Sequence, residues 1–488
     1  MLLDHYVSAM DSWKGRIDSE TDYDAFRWHQ WVQPLNLNDG GAPFTGKLGF
    51  AFIGFCSDKG VARNKGRTGT ALAPDFVRGQ MSGLPCTFSQ EVKLFDAGDI
   101  ICDEISLEEG QRELGCAVEE ILRRDLFPIV LGGGHETTFG HFQGQHNFLK
   151  DKGKTPELGI VNFDAHFDLR PYDMGNSSGT MFRQMADVCK AEGTPYHYFP
   201  IGIQQHSNTV SLFKKAEELG VDYVLAKDLQ ASNLESILER MDQFLYQCDD
   251  TYITVCSDVF SSAFAPGVSA PQSLGLDPEI VLPLIKHVLR TRKVRGFDIC
   301  EISPRFDQDN TTANLGAVII FELLFTLAVC ALLLAAAMPV CAAEDVTEYR
   351  IDEIGLTVEI PSDYDVYLYD NLSELAESDP YAKSLLSQME YKGFSLIAFS
   401  PEDRLLFSIG YEENDIGQTF DDYPDDELLQ KYAEYNDTSS APDERFIYHG
   451  RYTWLIESYR QTFSTYITIT ASTFLAFGMA ASSDTLTQ

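Results

Sequence analysis

The sequence predicts an α/β fold of three layers, with helices on both faces of an eight-stranded, mainly parallel sheet, followed by a small α+β module. Three observations predict it. Apolar runs rich in β-branched residues recur at 48–56, 92–97, 127–131, 158–163, 198–203, 221–225, 251–257 and 294–302. Helix-like stretches, such as Leu107–Arg124, Leu234–Tyr246 and Pro278–Arg290, lie between several of them. Strands separated by helices pair through crossovers, which makes the sheet parallel and covers both its faces. Third, the composition changes abruptly near residue 322.

The chain has 488 residues, which at about 150 per domain predicts two or three domains. With 44% hydrophobic and 12% aromatic residues it can build a large core. Its net charge of −37 argues against binding to nucleic-acid phosphates or to anionic lipid. The charge is uneven: residues 322–488 carry 30 acidic and 8 basic residues, whereas residues 1–321 carry 44 and 29. Eight of the ten cysteines lie from Cys56 to Cys300, without a CxxC pair, and none follows Cys341. That pattern fits reduced cytosolic thiols better than a disulfide framework.

At the join, Leu323 to Met338 is a run of sixteen residues without charge, followed by Pro339, Val340, Cys341, Ala342 and Ala343. Segment 323–343 therefore reads as the apolar core and cleavage region of an export signal, or as a membrane-like segment, although no basic residue precedes it closely. Its apolar core is short for a span, which needs about 20 apolar residues. The competing reading is a buried last helix, 311–327, that closes the first domain. Domain 1–328 is then expected in the cytoplasm, and module 344–488 is expected to be exported or membrane-associated. Membrane contact is expected only if 315–343 is neither cleaved nor buried. The module reads as strands at 404–413, 445–450, 451–460 and 462–472, with a helix-like stretch at 379–390 and an acidic loop at 421–427.

In parallel α/β sheets ligands bind at the carboxyl ends of the strands. After 127–131 comes GGGHE, which puts His135 on a glycine-rich turn. After 158–163 comes DAHFD, carrying Asp164, His166 and Asp168. After 251–257 comes Asp258, then Ala265, Pro266 and Gly267, and after 294–300 comes Glu301. If the strand continues through DxHxD, its alternate residues converge on one spot. Each piece alone is compatible with a tight turn or a helix cap. Together, two histidines and three aspartates form a nitrogen–oxygen set suited to Mn²⁺ or a similar divalent ion, with carboxylates able to bridge two ions. A two-ion site holds a hydroxide that is nucleophilic at neutral pH.

These motifs resemble those of the ureohydrolase family (arginase, agmatinase and formimidoylglutamase) over residues 1–328: GGGHE (132–136), NFDAHFDLR (162–170), SDVFSSAFAPG (257–267) and FDICEISP (297–304). Within the family WKGRID (13–18), RWHQ (27–30), DKGVARNKGR (58–67) and SSGTMFRQ (177–184) are most similar to the formimidoylglutamase branch. The resemblance implies an arginase-like fold and cleavage of N-formimidoyl-L-glutamate to glutamate and formamide. It implies two Mn²⁺ ions per chain held by His135, Asp164, His166, Asp168 and Asp258, with Glu301 gripping the cationic amidine. Asp168 is expected to pass a proton to the leaving amine. The substrate's carboxylates call for arginines, and Arg170, Arg183, Arg63 and Arg67 are candidates, with Asn64 and Ser178 as weaker polar ones. Each arginine is equally compatible with an ordinary salt bridge.

One residue departs from the family pattern. Where the family carries DxD before APG, this chain reads CSD, so Cys256 stands where a bridging aspartate is expected. As a ligand it would favour an ion softer than Mn²⁺. As a free cysteine it would be an ordinary core residue. An agmatinase- or arginase-like guanidine hydrolase and a non-catalytic metal protein are the alternative readings. The expected partners are a small-molecule substrate and further copies of the N-terminal domain in a homo-oligomer, with no nucleic acid.

Overall fold

The structure, a computed structural model, describes residues 3–230 and 233–337 and nine strand segments between 346 and 480. The chain divides into two compact units, Met1–Ala335 and Ala336–Gln488.

The strands of the first unit are Tyr6–Val7 (β1), Gln33–Pro34 (β2), Leu48–Cys56 (β3), Val92–Ile101 (β4), Phe127–Leu131 (β5), Leu158–Phe163 (β6), His197–Ile203 (β7), Val224–Leu225 (β8), Asp250–Cys256 (β9) and Val294–Cys300 (β10). They form one ten-stranded sheet in the order β1-β4-β3-β5-β10-β9-β6-β7-β8, with β2 also on β4. Only β1 pairs antiparallel. The eight expected strands are β3 to β10. The two missed, β1 and β2, are two-residue pieces of the N-terminal arm, too short to carry a period-2 pattern. Likewise the run expected at 221–225 pairs only through Val224 and Leu225.

The helices are Trp28–Trp31 (α1), Lys59–Arg63 (α2), Ala73–Met81 (α3), Leu107–Arg123 (α4), Thr137–Asp151 (α5), Met181–Glu192 (α6), Val210–Glu218 (α7), Leu234–Tyr246 (α8), Pro278–Arg290 (α9) and Thr311–Ala337 (α10). The termini of α4 show how the sequence fixes them: Ser106 caps its start by accepting the Glu109 amide, two glutamates fill its first turn, and Arg123 lies in its last turn. The central strands β5, β6, β9 and β10 are buried along nearly their whole length, as a sheet covered on both faces requires.

Thr311–Cys330 is long and apolar enough to cross a membrane, yet Ala317, Ile319, Ile320, Leu323, Leu324 and Ala328 are buried in the core of this unit. Lys286 of α9 pairs with Glu322 at 3.1 Å, which accounts for the charge inside the apolar run. The export-signal reading of 323–343 therefore finds no support. An apolar run without charge is also what a helix buried on most sides looks like. The cleavage region at 342–343 lies outside the described residues.

In the second unit Val346–Ile351 (β11) and Leu356–Pro361 (β12) form an antiparallel pair. Asp365–Leu368 (β13), Phe394–Ser400 (β14), Leu405–Glu413 (β15), Glu444–His449 (β16), Thr453–Tyr459 (β17), Thr462–Thr470 (β18) and Thr473–Ala480 (β19) form an antiparallel sheet ordered β13-β14-β15-β19-β18-β17-β16. The strands read at 404–413, 445–450, 451–460 and 462–472 correspond to β15, β16, β17 and β18. The helix-like stretch 379–390 and the acidic loop 421–427 lie outside the described residues.

Candidate metal centre

Four neighbouring strand ends build the centre. The GGGHE turn leaves β5 so tightly that a Cβ on Gly133 would lie 1.9 Å from the Ser57 carbonyl oxygen, so glycine is required there. Two site residues adopt left-handed backbone without being glycine, Asp168 (φ 47°) and Glu301 (φ 66°). Each such residue costs about 1–3 kcal/mol and persists where its surroundings hold it. Glu301 is held by its amide, which donates to Gly133 O at 2.9 Å, and by its Oε1, which accepts the His135 amide at 2.9 Å.

His135, Asp164, Asp168, Cys256, Asp258 and Glu301 are buried, whereas His166 keeps 20% of its side chain exposed and marks the open side. His135 Nδ1 lies 3.0 Å from Asp164 Oδ2 and 3.2 Å from Asp168 Oδ2. His166 Nδ1 lies 3.4 Å from Asp164 Oδ1 and 3.2 Å from Asp258 Oδ2. Two sets that share Asp164, His135–Asp164–Cys256 and Asp164–His166–Asp258, hold their ligand atoms within 4.8 Å of one another, and His135 also belongs to a third with Asp298 and Cys300. Six residues singled out for metal binding are thus brought together.

The electrostatics are those of a seat for cations. Burial disfavours charge on His135, but Asp164 and then Asp168 overcome it and raise its pKa well above the usual value. His166 is raised likewise against burial, by Asp258 and Asp164. Burial pushes Glu301 well up, helped by Glu136 and Asp258. Burial and then the Asp164 charge push Asp168 to about 6. The buried oxygens Asp258 Oδ1, Glu301 Oε2 and Glu136 Oε2 have no hydrogen-bond partner. Unpaired buried carboxylate oxygens cost free energy unless a cation meets them. The donor set of imidazole, carboxylate and thiol therefore fits divalent metal ions.

Sequence reasoning missed the layer behind the ligands. Thr254 Oγ1 donates to Asp298 Oδ1 at 2.5 Å and lies 3.0 Å from His135 Nε2. With its proton committed to Asp298, Thr254 accepts from His135 Nε2–H, which leaves Nδ1 as the nitrogen free to meet a cation. Asp298 Oδ2 in turn lies 2.7 Å from His141 Nδ1. Glu136 was also passed over; its Oε1 accepts the Gly60 amide at 2.7 Å, and a Cβ on Gly60 would strike its carboxyl carbon. Burial raises its pKa to about 7. The signal for Thr254 was its position two residues before Cys256 on one strand face.

The substrate-side candidates separate. Asn64 Nδ2 donates to Ser178 Oγ at 3.2 Å, and Asn64 and Arg170 both approach Gly179, where an added Cβ would lie 2.9 Å from Arg170 Cδ and 3.1 Å from Asn64 Nδ2. Arg63 is committed to Glu108 (2.5 Å) and to the Asn176 carbonyl (3.0 Å). Arg67 donates to the Ser269 carbonyl at 3.1 Å and stacks 4.1 Å over the Phe306 ring, so it fastens loops together. Arg183 is not brought to the centre: it lines a separate cleft with Lys190, Tyr196, Lys215 and Glu218. The buried positions of α6 are Met181, Phe182, Gln184, Met185, Ala186 and Cys189, which leaves Arg183 for that cleft.

A family model described as the arginase family matches residues 48–326. Formimidoylglutamase of Clostridium tetani is 58% identical over 320 residues, 65% of this chain and 95% of that protein. Formimidoylglutamase of Lysinibacillus sphaericus is 44% identical over 313 residues, 64% of this chain and 94% of that protein. Among solved structures, formimidoylglutamase of Bacillus subtilis superposes with a TM-score of 0.55 at 22% identity, over 66% of this chain and 98% of that one. Trypanosoma cruzi formiminoglutamase with Mn²⁺ gives 0.51 at 23% identity, over 57% of this chain and 93% of that one. The structural matches establish the mainly parallel α/β fold.

Proposed function

The chain belongs to the arginase family, and on that premise we propose that its N-terminal unit hydrolyses N-formimidoyl-L-glutamate to L-glutamate and formamide. It is a hydrolase acting on carbon–nitrogen bonds of linear amidines. The observation that carries the substrate class is Glu301: a buried carboxylate with one oxygen fixed by the His135 amide and the other unpartnered, beside the histidine–aspartate cluster. A cationic amidinium is the complement of that oxygen. The names of the Clostridium and Lysinibacillus relatives support the choice of formimidoylglutamate within the class.

His135, Asp164, His166, Asp168, Asp258 and Cys256 are the residues to hold divalent metal, Mn²⁺ being typical of the family. Bound there, such ions supply an activated water at neutral pH and positive charge at the amidine. The protein's own groups do the rest. Glu301 orients the amidinium and balances its charge as the carbon becomes tetrahedral. Asp168, whose Oδ2 lies 3.2 Å from His135 Nδ1 inside the cluster, would take a proton from the attacking water and hand it to the glutamate nitrogen as the C–N bond breaks. Arg170, Asn64 and Ser178, gathered at Gly179, are the groups to hold the substrate's carboxylates.

The test is hydrolysis by metal-reconstituted protein of formimidoylglutamate against arginine, agmatine and guanidinobutyrate. Formimidoylglutamate is expected to be turned over best. No turnover of it with Mn²⁺, Fe²⁺, Co²⁺ or Zn²⁺ would sink the reading. Glu301→Gln should lower kcat/KM by about 10²–10³-fold with bound metal retained.

A further inference from the structure

The side chains divide the centre into two unlike halves. Asp164 belongs to both ligand sets, whereas Cys256 shares a set only with His135 and Asp164, and His166 and Asp258 belong to the other. The strand explains the division. Thr254 and Cys256 are alternate residues of β9 and face one way, and Thr254 meets His135 through its hydroxyl. Asp258 lies beyond the strand, in a short turn of helix (Ser257–Val259), where it pairs with His166 at 3.2 Å and also neighbours the Cys256 thiol. The thiol is buried and uncombined in any disulfide. Two further oxygens of the cluster, on Asp258 and Glu301, are buried and unpartnered, so the ligand atoms around Cys256 are aimed at something other than protein.

We propose that Cys256 ligates one ion only, and that the centre therefore takes two different metals. The His135–Asp164–Cys256 half takes a thiophilic divalent ion such as Zn²⁺, Co²⁺ or Fe²⁺. The Asp164–His166–Asp258 half takes a hard ion such as Mn²⁺, with Asp164 common to both. Thiolate selects softer ions, whereas carboxylate with water suits Mn²⁺. The thiol proton leaves to solvent as the ion binds, so charge balances. The inference rests on the metal-dependent reading above, but it concerns ligation and is read without substrate.

The experiment is Co²⁺ titration of the full-length, metal-stripped chain, with bound ion counted by equilibrium dialysis and ligation read by absorbance. The first equivalent is expected to bring a near-ultraviolet thiolate-to-cobalt charge-transfer band, and the second to add none. Protein preloaded with Mn²⁺ should keep one Mn²⁺ per chain after one Co²⁺ enters. Cys256→Asp and Cys256→Ala should each lose the band. Cys300→Ala should keep it, although Cys300 is another thiol clustered with His135. Cobalt bound without the band, a band that keeps growing through the second equivalent, or a band surviving in either Cys256 variant would overturn the proposal. Circular dichroism of the metal-stripped variants checks that they fold. If formimidoylglutamate were not hydrolysed yet the band appeared, the substrate reading would fail and this one would stand.

Discussion

Two clusters of buried charge sit in the N-terminal unit, and their hydrogen bonds differ in kind. Around Arg78 of α3 every charge finds its partner: Nε donates to Asp96 Oδ2 at 2.7 Å, one terminal nitrogen to Asp99 Oδ1 at 2.6 Å, and the other to the Gly98 carbonyl at 2.9 Å. Asp96 also accepts the Trp13 indole at 2.6 Å and the Gly98 amide at 2.7 Å. At the strand ends, by contrast, three carboxylate oxygens, on Glu136, Asp258 and Glu301, have no partner. The first cluster ties the N-terminal arm and α3 to β4. The second spends stability to hold negative charge ready. Burial alone does not mark a functional site; buried charge without its counterpart does.

The largest effect to test that contrast is on stability. Removing the cation from the satisfied cluster, Arg78→Met, strands two carboxylates and should cost about 3–5 kcal/mol in urea denaturation of the metal-stripped protein. Asp258→Asn removes a charge from the unsatisfied cluster and should leave the metal-stripped protein as stable or more so, while removing the stabilisation that added Mn²⁺ gives. Equal losses from the two substitutions would break the comparison.

The pH dependence sharpens it further. The folded-state pKa of Glu136 is raised from 4.5 to about 7, chiefly by burial. The folded state then binds more protons than the unfolded one between those values. Its stabilising contribution is present below pH 4.5 and is lost as pH rises through about 7, a change of about 3 kcal/mol at 1.36 kcal/mol per pH unit. Metal-stripped protein should lose stability over that range, and Glu136→Gln should reduce the slope, leaving the part that belongs to Asp168 and Glu301. An unchanged slope in the variant would place the titration on another group.

Much of this was legible in the sequence, for physical reasons. Central strands covered on both faces must be apolar throughout, so β3 to β7, β9 and β10 read clearly. The candidate metal-binding residues read clearly because each follows a strand, where the fold leaves room for a site. The residues behind them did not. Thr254, Asp298 and His141 lie in the core, and a buried polar residue in a strand or helix shows its purpose only when its partner, distant in sequence, is seen. Arg183 and Arg67 show the converse: an arginine near a motif carries no information about which way it points. The apolar run at 323–338 shows the same limit, because export, membrane and core all select leucine and alanine.

The Thr254 link gives the next effect in size. Thr254→Val removes the hydroxyl that holds the proton on His135 Nε2 and should weaken Co²⁺ binding at the His135 half by about 10–100-fold, read by competition with a chelator. Thr254→Ser keeps the hydroxyl and should recover most of that loss. The Arg78 cluster, which contacts none of these residues, should keep its contribution to stability in both variants. Equal metal affinity in the valine variant would mean that the ring is oriented by Asp164 and Asp168 alone.

The smallest effect concerns the arginines, where the same contrast applies at the surface. Arg63 is already paired with Glu108, and such an exposed pair is worth about 0–1 kcal/mol. Among the described residues no ion pair holds the Arg170 guanidinium, which lies beside Asn64 and two residues beyond Asp168. A guanidinium free of partners beside the centre can serve a substrate carboxylate, and one such hydrogen bond to a charged group is worth about 1.5 kcal/mol or more. Arg170→Ala should therefore raise KM for formimidoylglutamate about tenfold with kcat little changed. Arg183→Ala, in its separate cleft, should change neither by more than about twofold. The reverse ranking would show that the substrate's carboxylates extend toward α6 and α7 rather than along the loop that follows Asp168.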